Sequence, residues 1–351
     1  MMVWKKSFFT LLLVSLIFLT ACSTENQGSK NRYQGGFFDY FDTYIQIIIY
    51  AEDQETFNAH FQAARQAFAH YHGLFDIFSQ PQNQNTLYTV NEQAGVAPVL
   101  MEAPILELLT LSKEAYQYTD GMLNITLGPV LSLWRQYRQV GVLNPENAQL
   151  PNMSQLEQLA ELAQIDMLEI NLEDQTVFLK EAGMSLDVGA TAKSFAAQQV
   201  ANLLRAQGVE SAIINAGGDV VIIGQALSQG ESPWNIGIQN PLGEGLIDSV
   251  LVSDVAVSTS GGNLRAYMVN GISYHHIIDP LSLMPASHFS AVTVIHQDAM
   301  VAEILSTALF IASFEQGYLL AENFGAAVLW VLPDGGLLYN QAYVAISQNI
   351  S

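Results

Sequence analysis

Two periods of apolar and polar positions run through the chain. Positions 44–50, with Ile45, Ile47 and Ile49 among β-branched and aromatic neighbours, predict a buried strand. Positions 53–75 are mostly polar, but Phe57, Phe61, Ala64, Phe68 and Tyr71 recur at helical spacing. They predict an amphipathic helix whose His60, His70 and His72 belong to its surface or packing. A polar loop at 79–85 leads to helices expected over 103–118 and 130–137, the latter entered through Gly128-Pro129. Positions 144–167 read as a loop and a surface helix, punctuated by Pro145 and Pro151. Strands at 168–172 and 176–180 flank Glu173-Asp174-Gln175 as a hairpin, and a helix is predicted over 195–204. Then come a strand, Gly-Gly bend and strand over 212–224, a strand over 234–241, and a continuation of the sheet through 247–260. A strand-like run at 265–274 turns at Asn270-Gly271, a helix starts near Asp298, and 326–332 and 337–346 close the chain as two strands. The fold class expected is α+β, with a mixed, largely antiparallel sheet core and packed helices, in one unit or two lobes.

With 351 residues, half of them hydrophobic, the chain has material for one large domain or two modest ones. Cys22 is the single cysteine, which excludes an internal disulfide framework and a cysteine-rich zinc or iron-sulfur site. The formal net charge of −21 argues against nucleic acid as a partner and against a polybasic lipid-binding patch. An anionic small ligand needs only a local basic or dipolar pocket.

Lys5-Lys6 precedes an apolar run at 8–19 that is short for a membrane span, followed by Leu19-Thr20-Ala21-Cys22. This pattern resembles a bacterial lipoprotein signal, the alternative being an ordinary secretory signal with a chance cysteine. Cleavage before Cys22 removes two lysines and no acidic residue, taking the charge from −21 to −23. The expected organisation is a signal peptide at 1–21, a lipidated Cys22 with a flexible tether at 22–36, and a folded domain at 37–351. The lipid would hold that domain on the outer face of the cytoplasmic membrane.

Four stretches carry candidate chemistry. Tyr274-His275-His276-Ile277-Ile278-Asp279-Pro280 puts two imidazoles and a carboxylate beside a stiffening proline, suited to proton transfer with Asp279 orienting a histidine. A hairpin edge with solvated histidines is the other reading. The loop from Ser185 to Ser194, holding Asp187, Gly189, Ala190 and Lys193, enters a helix; its free N–H groups and the lysine suit a phosphate, though such a loop is as often structural. Asn215 and Asp219 bracket a Gly217-Gly218 bend that allows close backbone approach. Glu303 and Thr307, four apart on one helix face, offer hard oxygen ligands for Mg²⁺, unless they are merely an acidic residue near a helix start and a buried threonine.

Together with Val257-Ser258-Thr259-Ser260-Gly261 and the segments 291–295 and 303–310, these stretches resemble the ApbE family, the FAD:protein FMN transferases, over about 37–333. The resemblance implies an ApbE-like fold with the FAD site between its lobes. It implies Mg²⁺-dependent transfer of FMN from FAD through a phosphoester bond to a Thr or Ser hydroxyl of an extracytoplasmic acceptor protein, releasing AMP. That acceptor would carry a Ser/Thr-Gly-Ala-Thr/Ser-like segment. The implied roles are His276 and Asp279 in catalysis, and Lys193, Asp187, Gly189, Asn85, Thr126, Asn215, Gly217 and His275 at the FAD. The Ala190 carbonyl, Glu303 and Thr307 would hold the metal. This chain departs from the family pattern at Phe41-Asp42-Thr43, where Met-Gly-Thr is usual, at Asn85 for a serine, at Ala190 and Ser194 for glycines, and at Glu303 for an aspartate. An FAD pyrophosphatase giving FMN and AMP, and a non-catalytic FAD-binding lipoprotein, are the alternative functions.

Overall fold

An eight-stranded sheet, antiparallel at every pairing, organises the chain. The computed structural model describes residues 30–79, 84–228, 230–262 and 265–350; the expected signal peptide, Cys22 and residues 23–29 lie outside the described residues. Hairpin β1 (Asn31–Phe37) and β2 (Ile45–Ala51) leads into α1 (Gln54–Leu74), which Asp53 caps by accepting from Thr56 N–H. Next come α2 (Leu87–Glu92), β3 (Val99–Leu100), α3 (Ala103–Tyr118), α4 (Gly128–Leu143), α5 (Met153–Ala160), β4 (Leu168–Asn171) and β5 (Thr176–Leu179). Strands β3, β5 and β4 form a small separate sheet. After α6 (Ala192–Ala206) follow hairpin β6 (Ala212–Ala216) and β7 (Asp219–Ile223), the pair β8 (Trp234–Gln239) and β9 (Leu246–Val252), and β10 (Ala256–Gly261). Hairpin β11 (Tyr267–Val269) and β12 (Ile272–Tyr274) precedes β13 (Ala291–His296), α7 (Ala299–Ile311), α8 (Phe314–Asn323), β14 (Ala327–Val331), β15 (Leu337–Tyr339) and α9 (Gln341–Val344).

The order across the main sheet is β1-β2-β6-β7-β10-β13-β14-β15. Alternation along β2 sends Ile45, Ile47 and Ile49 to the face covered by α6 and α7, and Ile48 and Tyr50 to the face covered by Trp234, Val250 and Tyr343. A second core joins α3 and the small sheet to Phe195 of α6 and Ile304 of α7. A third packs α4 and α5 on β11 and on Ile278. Lys193, Arg135 and His276 are chain neighbours of Ala192, Trp134 and Ile277, which belong to three different cores.

Three expectations are corrected. Among the described residues regular structure reaches back to Asn31, into the expected tether: β1 pairs with β2 over seven residue pairs, and Gly35 and Gly36 leave room for the Phe61 ring and the Tyr44 hydroxyl, which a Cβ would meet at 2.7 and 2.2 Å. The stretch at 247–252 does not continue the main sheet but pairs with β8. The last strand stops at Tyr339 because Asn340, accepting from Tyr343 N–H at 3.2 Å, caps α9.

Candidate active site

The N-terminus of α6, the start of β7 and the middle of α7 bring Lys193, Asp219 and Glu303 together. The Lys193 ammonium lies 2.5 Å from Asp219 Oδ2 and 3.5 Å from Glu303 Oε1, and both carboxylates are buried. Burial works to strip the lysine of its proton, but the two carboxylates outweigh it and hold Lys193 above its ordinary range. Glu303 behaves oppositely: burial and the neighbouring Asp219 carboxylate push it up to about 8 against the pull of Lys193. Beside the ammonium, hydroxyl groups stand around it. The Ser194 hydroxyl donates to Glu303 Oε2 at 3.4 Å, and the Ser260 hydroxyl lies 2.9 Å from that of Ser306 and 3.3 Å from that of Thr307. Thr307 and Glu303 share one face of α7, as their spacing predicts.

The loop before α6 is tied from both sides. Asn91, at the end of α2, accepts from Leu186 N–H at 2.7 Å and donates to Leu186 O at 3.1 Å, pairing its amide with the loop backbone. Asp187 binds the guanidinium of Arg135 and accepts from Gly189 N–H at 2.9 Å. Thr191 and Ala192 N–H both donate to Val188 O at 2.9 Å, leaving the Ala190 carbonyl without a backbone donor among the described residues. Arg135 also lies over Phe78, its Cζ 4.8 Å from the ring centroid, and this phenyl ring is 64% exposed beside the loop. Neither Arg135 nor Phe78 was singled out by sequence; an isolated arginine on a helix and an aromatic at a loop edge carry no spacing signal.

The histidine pair divides in role. His275 Nε2–H donates to Ala286 O at 2.8 Å, Nδ1 accepts from Ile277 N–H at 3.2 Å, and the ring packs edge-on against Phe310. Both nitrogens are spent on holding the chain, so His275 is built into the scaffold. His276 has a buried Nδ1 with no partner, and burial, with Arg265, Arg138, His275 and Lys193 as nearby positive groups, pushes its pKa down to about 3. It is neutral at ordinary pH. The expected orientation of His276 by Asp279 is corrected: Asp279 Oδ1 accepts from Leu281 N–H at 2.9 Å, and Oδ2 accepts from the Ser282 hydroxyl at 2.7 Å and Ser282 N–H at 3.3 Å. Both carboxylate oxygens close the turn after Pro280 instead.

The remaining expected residues separate. Asn215 accepts from Gly218 N–H at 2.9 Å and so shapes the bend, while Gly217, at φ 65°, donates its N–H to Tyr44 O at 3.1 Å and packs on Thr43. That bend leads directly into Asp219. Phe41 and Asp42 themselves adopt positive φ, 58° and 50°, so the backbone turn survives where the family pattern has a glycine. Asn85 is exposed and donates to Leu100 O at 2.9 Å, away from the lysine centre in its bonding. Thr126 is fully buried, its hydroxyl donating to Asn124 Oδ1 at 2.6 Å; it holds a turn and does not present a hydroxyl to a ligand. Among the described residues no three His, Cys, Asp or Glu side chains gather in a metal-binding group.

These features define a class: an α+β protein with a buried lysine–carboxylate centre, a small-residue loop at a helix start, and a neutral histidine. The comparisons give the class its family. Residues 41–330 match the ApbE family, and the chain belongs to that family. It is 31% identical over 278 residues to an FAD:protein FMN transferase of Klebsiella pneumoniae, covering 78% of this chain and 80% of that one. It is 30% identical over 275 residues to the FAD:protein FMN transferase of Treponema pallidum, 74% of each chain. The structure of the ApbE protein of Thermotoga maritima superposes with a TM-score of 0.81 at 26% identity, over 91% of this chain and all of that one. The flavin transferase ApbE of Vibrio cholerae shares the fold, with a TM-score of 0.74 at 21% identity over 90% of this chain and all of that one.

Proposed function

We propose that this chain is an FAD:protein FMN transferase, anchored by lipid on Cys22 to the outer face of the bacterial cytoplasmic membrane. Its acceptor is an extracytoplasmic protein offering a Thr or Ser in a Ser/Thr-Gly-Ala-Thr/Ser-like segment. The observation that carries this reading is the juxtaposition, within an ApbE-family chain, of a neutral His276 with the Lys193–Asp219–Glu303 centre. The acceptor hydroxyl oxygen bonds to the phosphorus of the FMN half, the bond from that phosphorus to the bridging oxygen breaks, and AMP leaves with the bridging oxygen. His276 accepts the hydroxyl proton. Its neutrality at working pH keeps it able to do so. Lys193 contributes positive charge beside the pyrophosphate, and the N–H groups at the start of α6 add the helix dipole.

The donor set fits a hard divalent cation: a carboxyl group that the cation would deprotonate, hydroxyls, and a carbonyl without a backbone donor among the described residues. Mg²⁺ held by Glu303, Thr307 and the Ala190 carbonyl would supply charge neutralisation at the pyrophosphate. Glu303 reaches one methylene further than the usual aspartate and, with its pKa raised to about 8, a cation would take the place of its proton.

Intact mass spectrometry of a Thr-bearing acceptor domain mixed with the chain from Ser23 onward, FAD and Mg²⁺ tests the reading. An FMN-sized mass gain that EDTA abolishes is the expected result. AMP release without any gain would make the protein an FAD pyrophosphatase; retained FAD with neither would make it a carrier.

A further inference from the structure

Strand register fixes which end of the main sheet carries the site and which end the chain enters. Phe37 pairs with Ile45, Ile45 with Ala216 and Ala216 with Asp219, so these four residues make one row across β1, β2, β6 and β7 that ends at the carboxylate bonded to Lys193. Asn31 lies six residues along β1 from Phe37, about 20 Å away. Lys30 pairs with Glu210 Oε2 at 2.7 Å, just before β6, and so pins the chain at that far end. The 38–44 turn between β1 and β2 stands at the site end. Its Thr43 packs on Gly217, the Tyr44 carbonyl accepts from Gly217 N–H at 3.1 Å, and Arg65 of α1 holds Asp39 at 2.6 Å. This turn carries two aromatic rings in contact, Phe38 and Tyr44, with centroids 4.6 Å apart; Phe38 is 74% and Tyr44 42% exposed. Neither ring has a part in the transfer chemistry. A pair of aromatics held in water by a braced turn is costly to leave bare, and such rings are what protein-binding hot spots are made of.

We propose that Phe38 and Tyr44 are the docking surface for the acceptor protein, which seats an apolar side chain on the two rings while its Ser or Thr hydroxyl enters the site. The proposal rests on the flavin-transfer reading, with its lipid on Cys22, for the identity of that partner. A bilayer is the other surface that takes up exposed aromatics. The course of the chain favours the protein. Nine chain steps separate Cys22 from Asn31, a reach of at most about 32 Å when fully extended. Bringing the 38–44 turn down to the bilayer would send those steps back along β1, whose length of about 20 Å takes over half of that reach. With Asn31 toward the anchor, the turn and the catalytic centre point into the aqueous phase, where a soluble acceptor domain meets them. The acidic balance of the chain, thirty-three acidic residues to twelve lysines and arginines, adds no attraction to an anionic lipid surface.

The test uses the lipidated full chain on phosphatidylcholine vesicles, the chain from Ser23 onward, and Phe38→Ser and Phe38→Tyr variants of both, with a Thr-bearing acceptor domain. Phe38→Ser is expected to raise the KM for the acceptor, and the Kd of the acceptor domain titrated without FAD or Mg²⁺, by about five- to tenfold. Its kcat at saturating acceptor, FAD affinity and unfolding midpoint should be unchanged, and Phe38→Tyr should restore most of the loss. Transfer to the soluble acceptor domain should be as fast from vesicles as from the chain without lipid. An unchanged acceptor KM overturns the docking surface. Loss of FAD affinity overturns it by making Phe38 a flavin contact, and Phe38-dependent binding of the chain from Ser23 to vesicles overturns it by making the turn a membrane contact. Markedly slower transfer on vesicles overturns the outward orientation. If the acceptor domain binds in a Phe38-dependent way but gains no FMN mass, the transfer reading fails and the docking surface stands; if it neither binds nor gains mass, both fail.

Discussion

Lys193 and Asp219 meet at 2.5 Å although they come from a helix N-terminus and a strand start, and Glu303 on a third element completes the group at 3.5 Å from the same ammonium. One lysine thus joins α6, β7 and α7 at the centre of the site. Burial first, and then the negative charge of Asp219 beside it, keep Glu303 protonated up to about 8. Once Glu303 ionises, the arrangement is balanced electrically only with a second positive charge.

Removing the lysine exposes that surplus. Lys193→Met is expected to lower the unfolding free energy by about 3 kcal/mol at pH 9, the scale of breaking a buried ion pair. The loss at pH 6 is expected to be smaller, because a protonated Glu303 leaves only Asp219 charged. Urea unfolding at the two pH values measures this, and equal losses would count against the charge account.

Glu303 gives the metal-free protein a pH dependence of definite sign. Its folded pKa of about 8 exceeds the ordinary 4.5, so the folded chain binds a proton that the unfolded chain has released. That contribution to stability is complete below about 4.5 and is lost as pH rises through about 8. Mg²⁺ competes with the same proton. Midpoints of thermal unfolding should fall from pH 6 to pH 9 without metal, Mg²⁺ should raise them more at pH 9, and Glu303→Gln should flatten both trends.

His276 and Asp279 are expected to part company on substitution. His276→Ala should reduce FMN transfer by about 10²–10⁴-fold, the range of a lost general base, with FAD affinity little changed. Asp279→Ala removes a turn acceptor bonded to Leu281 and Ser282, so it should cost about 1–2 kcal/mol of stability. It should leave the pH profile of transfer in place. A loss in Asp279→Ala that matches His276→Ala at equal stability would restore the orienting role.

What could be read from sequence was local. The i, i+4 pairing of Glu303 with Thr307, the cap at Asp298 and the Asn270-Gly271 turn, with φ of 51° and 83°, each depend on neighbours within one turn of chain. The contacts that assemble the site span far greater separations: 26 residues for Lys193 to Asp219, 52 for Arg135 to Asp187, and 95 for Asn91 to Leu186. Periodicity holds no record of these, because sheet order brings β7 beside β10 irrespective of position in the chain. Asp279 illustrates the converse. Three residues separate it from His276, yet its carboxylate turns toward the N–H groups ahead of it, as aspartates at turns do.

The bend at Gly217-Gly218 separates steric contact from backbone strain. Both glycines have positive φ, 65° and 102°, but a Cβ on Gly217 would lie 2.0 Å from Thr43 Oγ1, whereas a Cβ on Gly218 would meet nothing within 4 Å. Gly218→Ala should therefore cost about 1–2 kcal/mol, from conformation alone. Gly217→Ala adds a displacement of Thr43 and of the Gly217 N–H bond to Tyr44 O, and should cost about 3 kcal/mol or more. Because Asp219 follows two residues later, that displacement also moves the carboxylate bonded to Lys193. Gly217→Ala is thus expected to weaken FAD binding where Gly218→Ala does not. Urea unfolding and FAD titration of both variants check this, and equal behaviour of the two would mean that the packing of the bend on Thr43 does not govern the site.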